Sequence, residues 1–549
     1  PDARGAPDAP ADPAVVATLR TLVAELAGVD VDEVDATTPL LALGLDSIAA
    51  VRLAARARRE GLELRPADLA QPHVHAIAAS YATGAGAATA DADATDATAA
   101  ALEAPLAPAD AAAALGCDAA AIEAVRPVTA GQAMHLANFV QSSYRVGVFS
   151  FAYAAPALDA AALDAAWTAL QTRHAILRTV FLGAGTPVAP VQVQRTETHA
   201  ARVLTVRSMP RAALVDAAMR ERQRPPAPLT RAIADCDVVQ GSDGDAVVLT
   251  LFHAMYDAYS LRLLVDDLRA LYAAQVQGTQ VDDARLSVPG IERVLSAPAP
   301  GALAAPFAAY ADAVPCWLRD SSRDETFVQM HTPLGAVRAA LDTRAAGDRV
   351  ALTSVLLASV ANVLHEATQS PPVLGVLQHA RLASVADVDR LAAPCLNLVP
   401  LTPAVQPSVY ATAQAVDAEL RTHRAYEQVA LDALHRALGL PLTPRFNVVV
   451  NVLHDEAPAD GADGAPDAWA PMPGAGLELL RTRAPLVERS RLDDWDGAHC
   501  YPAHPVNVDL AVQGDSLLLA MRSMLSEEDA HVLLDAIAQA LHTVAAPDP

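Results

Sequence analysis

Aromatic side chains are scarce in these 549 residues, at 4% of the composition, although hydrophobic residues reach 52%. Cores built from such a chain are mostly small and aliphatic, and the abundance of alanine favours helix-rich elements. Basic charge is also short: 39 lysines and arginines face 64 acidic residues, a net charge of -25. That field repels phosphate backbones and anionic lipid surfaces, so nucleic-acid and membrane partners are not expected. No run of about eighteen apolar residues occurs, and the first residues, PDARGAPDAPADP, lack the basic and apolar regions of a secretory leader. A cytoplasmic protein is expected, and the abrupt start is consistent with an excised piece of a longer chain. The five cysteines, Cys117, Cys236, Cys316, Cys395 and Cys500, form no C-x-x-C pair, which argues for reduced core residues rather than a zinc site or disulfide framework.

Length alone suggests about two to four globular units. Short helical patterns occupy residues 13–82. The composition then shifts to Ala, Asp, Thr, Gly and Pro over 83–121, a stretch too poor in large apolar residues to offset its ordering entropy. This segment is expected to be a flexible linker. From residue 122 strands and amphipathic helices alternate, an α/β pattern. At over 400 residues it exceeds a usual single domain, so two lobes are expected, 122–295 and 296–549, dividing at the Pro/Ala-rich segment 296–306. Residues 163–182 place Leu163, Trp167 and Leu170 on one helical face, with Asp159 as a possible N-cap and the run ILRTVFL as a strand. Further strands are expected over 247–252, 373–377 and 446–453. A hairpin at Gly514-Asp515 joins 506–512 to 517–521, and a final helix is capped by Ser526.

Two positions invite chemistry. Ser47 lies where the loop Leu43-Gly44-Leu45-Asp46-Ser47 enters an amphipathic helix carrying Ile48, Val51 and Leu53. Unpaired N–H groups and the helix dipole favour an anion there by about 0.3–1 kcal/mol, so a phosphodiester on the serine oxygen would be well placed, although Asp46 and Ser47 could merely cap the helix. His253 ends the apolar run Val247–Phe252 and precedes a helix with Leu264, Leu268 and Leu271 on one face. Aminolysis of a thioester needs a neutral amine, and an imidazole held at a strand end can accept the proton as the C–N bond forms. The spacing H-x-x-x-D alone is weak, since His531 and Asp535 repeat it within the last helix.

The segment around Ser47, with Leu43, Gly44, Asp46 and Ile48, resembles the L-G-x-D-S-[IL] motif of acyl and peptidyl carrier proteins, all-α four-helix bundles. That resemblance covers 13–82 and implies 4′-phosphopantetheine borne covalently on Ser47. Residues 122–545 resemble the condensation domains of nonribosomal peptide synthetases, two-lobed α/β pseudodimers of chloramphenicol-acetyltransferase-like folds. The motifs, in family order, are PVTAGQAMHL with Gln132, Arg173-His174-Ala175-Ile176-Leu177-Arg178-Thr179-Val180-Phe181, the segment from Ala393 to Pro400 with Asn397, and PRFNVVVN with Phe446, Asn447 and Asn451. The resemblance makes His253 the catalytic histidine of H-H-x-x-x-D-G and Asp257 its structural companion, paired with Arg381. Phe252 and Ala258 depart from that motif; His253, Asp257 and Ser260 fit the S-H-x-x-x-D-x-x-[ST] variant of terminal, cyclising domains of fungal synthetases, although Phe252 departs from that variant's serine as well.

Arg173 and Arg178 read as structural supports, whereas Asn397 and Asn451 either line the cleft or satisfy buried backbone. The resemblance implies acyl transfer from a carrier thioester to an amine or hydroxyl, in elongation or macrocyclisation, with siderophore biosynthesis as the expected setting. The implied partners are carrier-bound peptidyl or aminoacyl thioesters, other carrier and adenylation domains, and a phosphopantetheinyl transferase. The alternative is an inactive condensation-fold module that recruits or gates carriers. No G-x-S-x-G elbow supports a thioesterase, Gly514-Asp515-Ser516-Leu517 reads as a turn, and D-F-G-W-G and E-G-H-G-R-E are missing.

Overall fold

A computed structural model describes residues 11–27, 30–37, 73–84, 106–141, 147–155, 157–184, 190–222, 231–279, 301–323, 326–344, 350–379, 388–443, 445–454 and 506–545, with scattered positions between 40 and 64 and at 291, 381 and 470–471. In the first part, helices α1 (Pro13–Ala27) and α2 (Val74–Gly84) share a small aliphatic core. Leu19, Leu22, Val23, Val34, Leu53, Val74 and Ile77 fill it. Ser47 and its loop lie outside the described residues.

Of the expected linker, residues 85–105 lie outside the described residues, and the rest departs from a flexible linker. Residues 108–115 form helix α3 (Pro108–Leu115), with Pro108 at its first turn and Gly116 closing it in the left-handed conformation, φ 64°. Ala111 packs on Val191 and Val193, apolar surface that the alanine-rich composition concealed.

Beyond α3 the strands form three sheets among the described residues. A small one has the order β1 (Ile122–Pro127), β4 (Val191–Arg195), β3 (Thr179–Leu182). The second runs β12 (Ala470–Pro471), β2 (Val148–Ala155), β7 (Gly244–Phe252), β6 (Ala234–Gly241), β5 (Arg202–Thr205). The third has six strands, ordered β10 (Leu396–Leu401), β9 (Leu374–His379), β11 (Val448–His454), β13 (Val506–Gln513), β14 (Ser516–Ser523), β8 (Thr326–Pro333). Two large apolar cores accompany the second and third sheets, one holding Phe151, Trp167 and Leu249, the other Val450, Leu510 and Leu519.

The division is not strictly sequential. Val388, Leu391, Ala393 and Cys395 join the first of these cores, and β12 pairs with β2, so later chain segments complete the earlier sheet and core. The expected boundary segment from 296 to 300 lies outside the described residues, and 301–306 form turns.

Local signals act as expected at several ends. Asp159 accepts from the amides of Ala161 and Ala162 at the start of α5 (Ala160–Arg173), and Ser526 accepts from Asp529 N at the start of the last helix, Glu527–Thr543. Gly514 takes φ 55° in the β13–β14 hairpin. The run ILRTVFL is a correction: Ala175–Arg178 form a 3-10 turn and only Thr179–Leu182 is strand. Arg178 is buried there and needs partners, which the turn provides by aiming it at the carbonyls of Gln171 and Arg195 and at Glu123.

One glycine sets the approach of the two large bodies. Helix α4 (Ala130–Gln141) crosses the start of β10, and a Cβ on Gly131 would collide with the carbonyl of Leu396. That obstacle is backbone and cannot rotate away. Gly131→Ala is expected to lose about 1–3 kcal/mol in denaturant unfolding, as overpacking does; an unchanged midpoint would show that α4 shifts freely.

Candidate active site

Nine residues of predominantly apolar strand deliver His253. The pairing of β2 with β7 ends at Val148–Phe252, and the amide of His253 continues the ladder by donating to Gly147 O at 2.7 Å. Gly147 holds φ 115°, and a Cβ there would press the Phe252 ring, so both conformation and space favour glycine. Beyond α6 (Arg211–Arg222) and the strands β6 and β7, the chain folds into a 3-10 turn, His253–Met255, before α7 (Ala258–Gln277) begins. Phe252, Ala254, Met255, Tyr256 and Asp257 are buried, whereas His253 keeps partial exposure.

The position of Phe252 answers the main departure from the familiar motif. Its side chain is fully buried in the apolar core, 4.7 Å from the Phe139 ring and 5.8 Å from the Phe181 ring by centroid. Alternation along the strand places it on the opposite face from His253. A phenylalanine there replaces core contact and removes nothing from the histidine's side.

The His253 ring is held tightly. Its Nδ1 lies 3.1 Å from the carbonyl of Tyr256, which can only accept, so Nδ1 carries the proton and Nε2 keeps a free lone pair. His135 of α4 stacks on one face, centroids 3.9 Å apart at 18°, and Tyr256 on another, 4.7 Å at 10°. Phe149 meets the ring edge-on at 5.3 Å. Burial among these rings pulls the His253 pKa below its ordinary value, against the Tyr256 carbonyl, its own backbone and Asp257, which favour the charged form.

Asp257 does different work. It caps α7 by accepting from Ser260 N at 2.8 Å, and its Oδ1 is 2.6 Å from Ser260 Oγ. Arg381 lies 2.9 Å from Oδ1 and 3.1 Å from Oδ2, and Cys395 N donates to Oδ2 at 3.0 Å. The guanidinium also donates to the carbonyls of Val388, Leu391 and Ala393 and to Ser260 Oγ. Both charged groups are almost fully buried, so their hydrogen bonds are what make the pair tolerable. The carboxylate is thus occupied by the helix cap, the guanidinium and the Cys395 amide.

The remaining expected residues fall outside this group. Arg173 and His174 both meet Asp267 of α7, at 3.0 and 2.8 Å, and Arg178 meets Glu123 at 2.8 Å. Asn397 donates to the carbonyls of Glu427 and Val429 and accepts from Leu398 N, so it satisfies backbone, and Asn451 reaches Asp509. Gln132 is also internal, accepting from Thr129 N. Cys395 is buried and its thiol is pushed up to about 12, chiefly by burial, which suits an inert core thiol. His135 and Tyr256 were missed as site residues. His135 lies within PVTAGQAMHL and Tyr256 between His253 and Asp257, but spacing along the chain does not tell that helix α4 crosses the turn after β7. Among the described residues no cluster suited to a metal ion occurs, and no helix is long and apolar enough to cross a membrane.

This strand-end histidine, its aspartate–arginine brace and the split sheets define a class. Residues 123–287 match the Condensation domain family and residues 17–80 the Phosphopantetheine attachment site family, so a carrier domain is followed by a condensation domain. Among solved structures, the starter condensation domain of rhizomide synthetase aligns with a TM-score of 0.55 at 17% identity, covering 77% of this chain and 95% of that one. Such a likeness speaks for the fold.

More particularly, the chain is homologous to fungal siderophore-type nonribosomal peptide synthetases. It is 28% identical to the Ferrichrome siderophore peptide synthetase of Mycosarcoma maydis over 95% of its length, and 29% identical to the nonribosomal peptide synthetase fso1 of Omphalotus olearius over 79%. It spans only 13% and 10% of those two proteins. A carrier domain of this family carries 4′-phosphopantetheine covalently.

Two outcomes test the electrostatics. Arg381→Ala would strand the buried Asp257 carboxylate, and a loss of about 3–5 kcal/mol in unfolding free energy is expected; a loss under about 1 kcal/mol would mean that water reaches the pair. Burial pushes the Glu427 carboxyl up to about 8, so the folded state holds a proton there that the unfolded chain releases near pH 4.5. Stability should therefore fall as pH rises from about 4.5 to about 8, and Glu427→Gln should flatten that fall in pH-dependent thermal melts.

Proposed function

We propose that this chain transfers an acyl or peptidyl group from a carrier thioester to an amine nucleophile, with His253 as the base and Ser47 as the attachment point of 4′-phosphopantetheine. The observation that carries the reading is His253 itself: partly exposed at the end of a buried strand, with Nδ1 committed to a carbonyl and Nε2 left as an acceptor. The phosphopantetheine thiol, when loaded, supplies the activated acyl group as a thioester. The residues of this chain then bind and orient the nucleophile and take up its proton.

In that step the amine nitrogen forms a bond to the acyl carbon, its proton passes to His253 Nε2, and the C–S bond breaks. The departing thiolate takes a proton, so the imidazole is restored if it returns the one it received. Asp257 and Arg381 hold the turn that presents His253 and touch no reactant. Tethering raises the effective concentration of the thioester, so positioning supplies much of the acceleration. Other carrier and adenylation domains and a phosphopantetheinyl transferase are the partners this scheme requires.

Homology to ferrichrome-type synthetases supports a hydroxamate-type siderophore peptide as the substrate class. Ser260, locked to Asp257 and Arg381, supports the cyclising variant of the reaction, in which the peptide's own terminus is the nucleophile. The alternative of a module that only recruits carriers rests on Phe252 and Ala258; Phe252 belongs to the core, and Ala258 begins α7.

The test loads the chain with a peptidyl-pantetheine and follows release by mass spectrometry, with His253→Ala and Ser47→Ala beside it. Ser47→Ala should accept no load, and His253→Ala should load normally and release product about 10²–10⁴-fold more slowly. Equal release with and without His253 would sink the reading, and a linear product would remove the cyclising part of it.

A further inference from the structure

The His253 ring is enclosed by three rings from three parts of the chain. His135 comes from α4, Tyr256 from the turn that follows His253, and Phe149 from β2. The two nearly parallel rings lie with centroids 3.9 Å (His135) and 4.7 Å (Tyr256) from that of His253. Both also carry a buried polar atom, His135 Nε2 and Tyr256 Oη, with no hydrogen-bond partner among the described residues. Their contact with His253 is thus made through ring faces, and a buried polar atom left unpaired is normally a cost.

We propose that His135 is a positioning residue which, stacked against His253 together with Tyr256, fixes the plane of that imidazole and keeps its face dry. The proposal rests on reading His253 as the base. Two consequences follow from the packing. The ring cannot swing about its Cβ without breaking the stack, so Nε2 keeps one direction. Water excluded from its face cannot solvate an imidazolium, so the base stays neutral and ready.

The charged and titratable groups around the pair agree. Burial holds His135 well below its ordinary range, and a charge on His253 would lower it further. Tyr256 is raised well above its ordinary value by burial, with Tyr153 of β2 adding to the effect, so it stays neutral. Asp257 is the nearby anion that favours protonated His253, and Arg381 offsets its charge. The stacked rings are therefore uncharged near neutral pH, which permits the close approach of two histidines.

The experiment titrates the histidine side-chain NMR signals of the whole chain, with the His253 signal identified by its loss in His253→Ala, and measures kcat and KM in parallel. His135→Ala should raise the His253 pKa toward about 6.5 and lower kcat by about 10–100-fold with little change in KM, as misplacement of a catalytic group does. His135→Phe keeps a ring without the nitrogen, and it should restore most of that rate and hold the His253 pKa low. Melting curves for both variants establish that they fold. Three results would overturn the proposal: an unmoved His253 pKa in His135→Ala, an unmoved kcat there, or His135→Phe as slow as His135→Ala, which would assign the effect to the nitrogen. The titration needs no substrate, so a chain without turnover would sink the reading of His253 as base while the titration still decides the clamp.

Discussion

The buried contact between Asp257 and Arg381 is the constraint on which the site is built. It joins the N-cap of α7 to chain more than a hundred residues later, and the same guanidinium gathers the carbonyls of Val388, Leu391 and Ala393. Placing two charges out of water is expensive, and the cost is recovered only because nearly every lone pair and donor finds a partner. The consequence is geometric. The turn from His253 to Tyr256 is caught between a strand end it cannot leave and a helix cap it cannot release.

That geometry allows a division of labour between adjacent residues. Phe252 faces inward to the core, His253 faces a partly open side, and Asp257 faces its arginine. A substitution at one of the three therefore has a distinct meaning: at 252 it concerns packing, at 257 the integrity of the brace, and at 253, on the proposed reading, chemistry. Phe252, which departs from the motif's first histidine, is a core-filling side chain packed on Phe139 and Phe181.

The later chain also contributes to the earlier half. Residues 388–395 complete the first large core, β12 extends the first large sheet, and α4 leans on β10 through Gly131. The site lies where these exchanges occur, beside α4 and the loop leading to Cys395. The surroundings of His253 therefore draw on both bodies.

Much was legible from local signals. Caps at Asp159 and Ser526, the apolar run ending at Phe252, the hairpin at Gly514 and the family motifs are all short-range patterns that the chain must express wherever it lies. Helix α3 was hidden because alanine and proline read alike in a linker and in a short packed helix. Tertiary structure alone decided that Arg178 would curl its segment into a turn, that Asn397 would serve backbone, and that His135 would lie on His253. Each depends on what meets the residue from a distant part of the chain, and sequence spacing does not encode the direction of that approach.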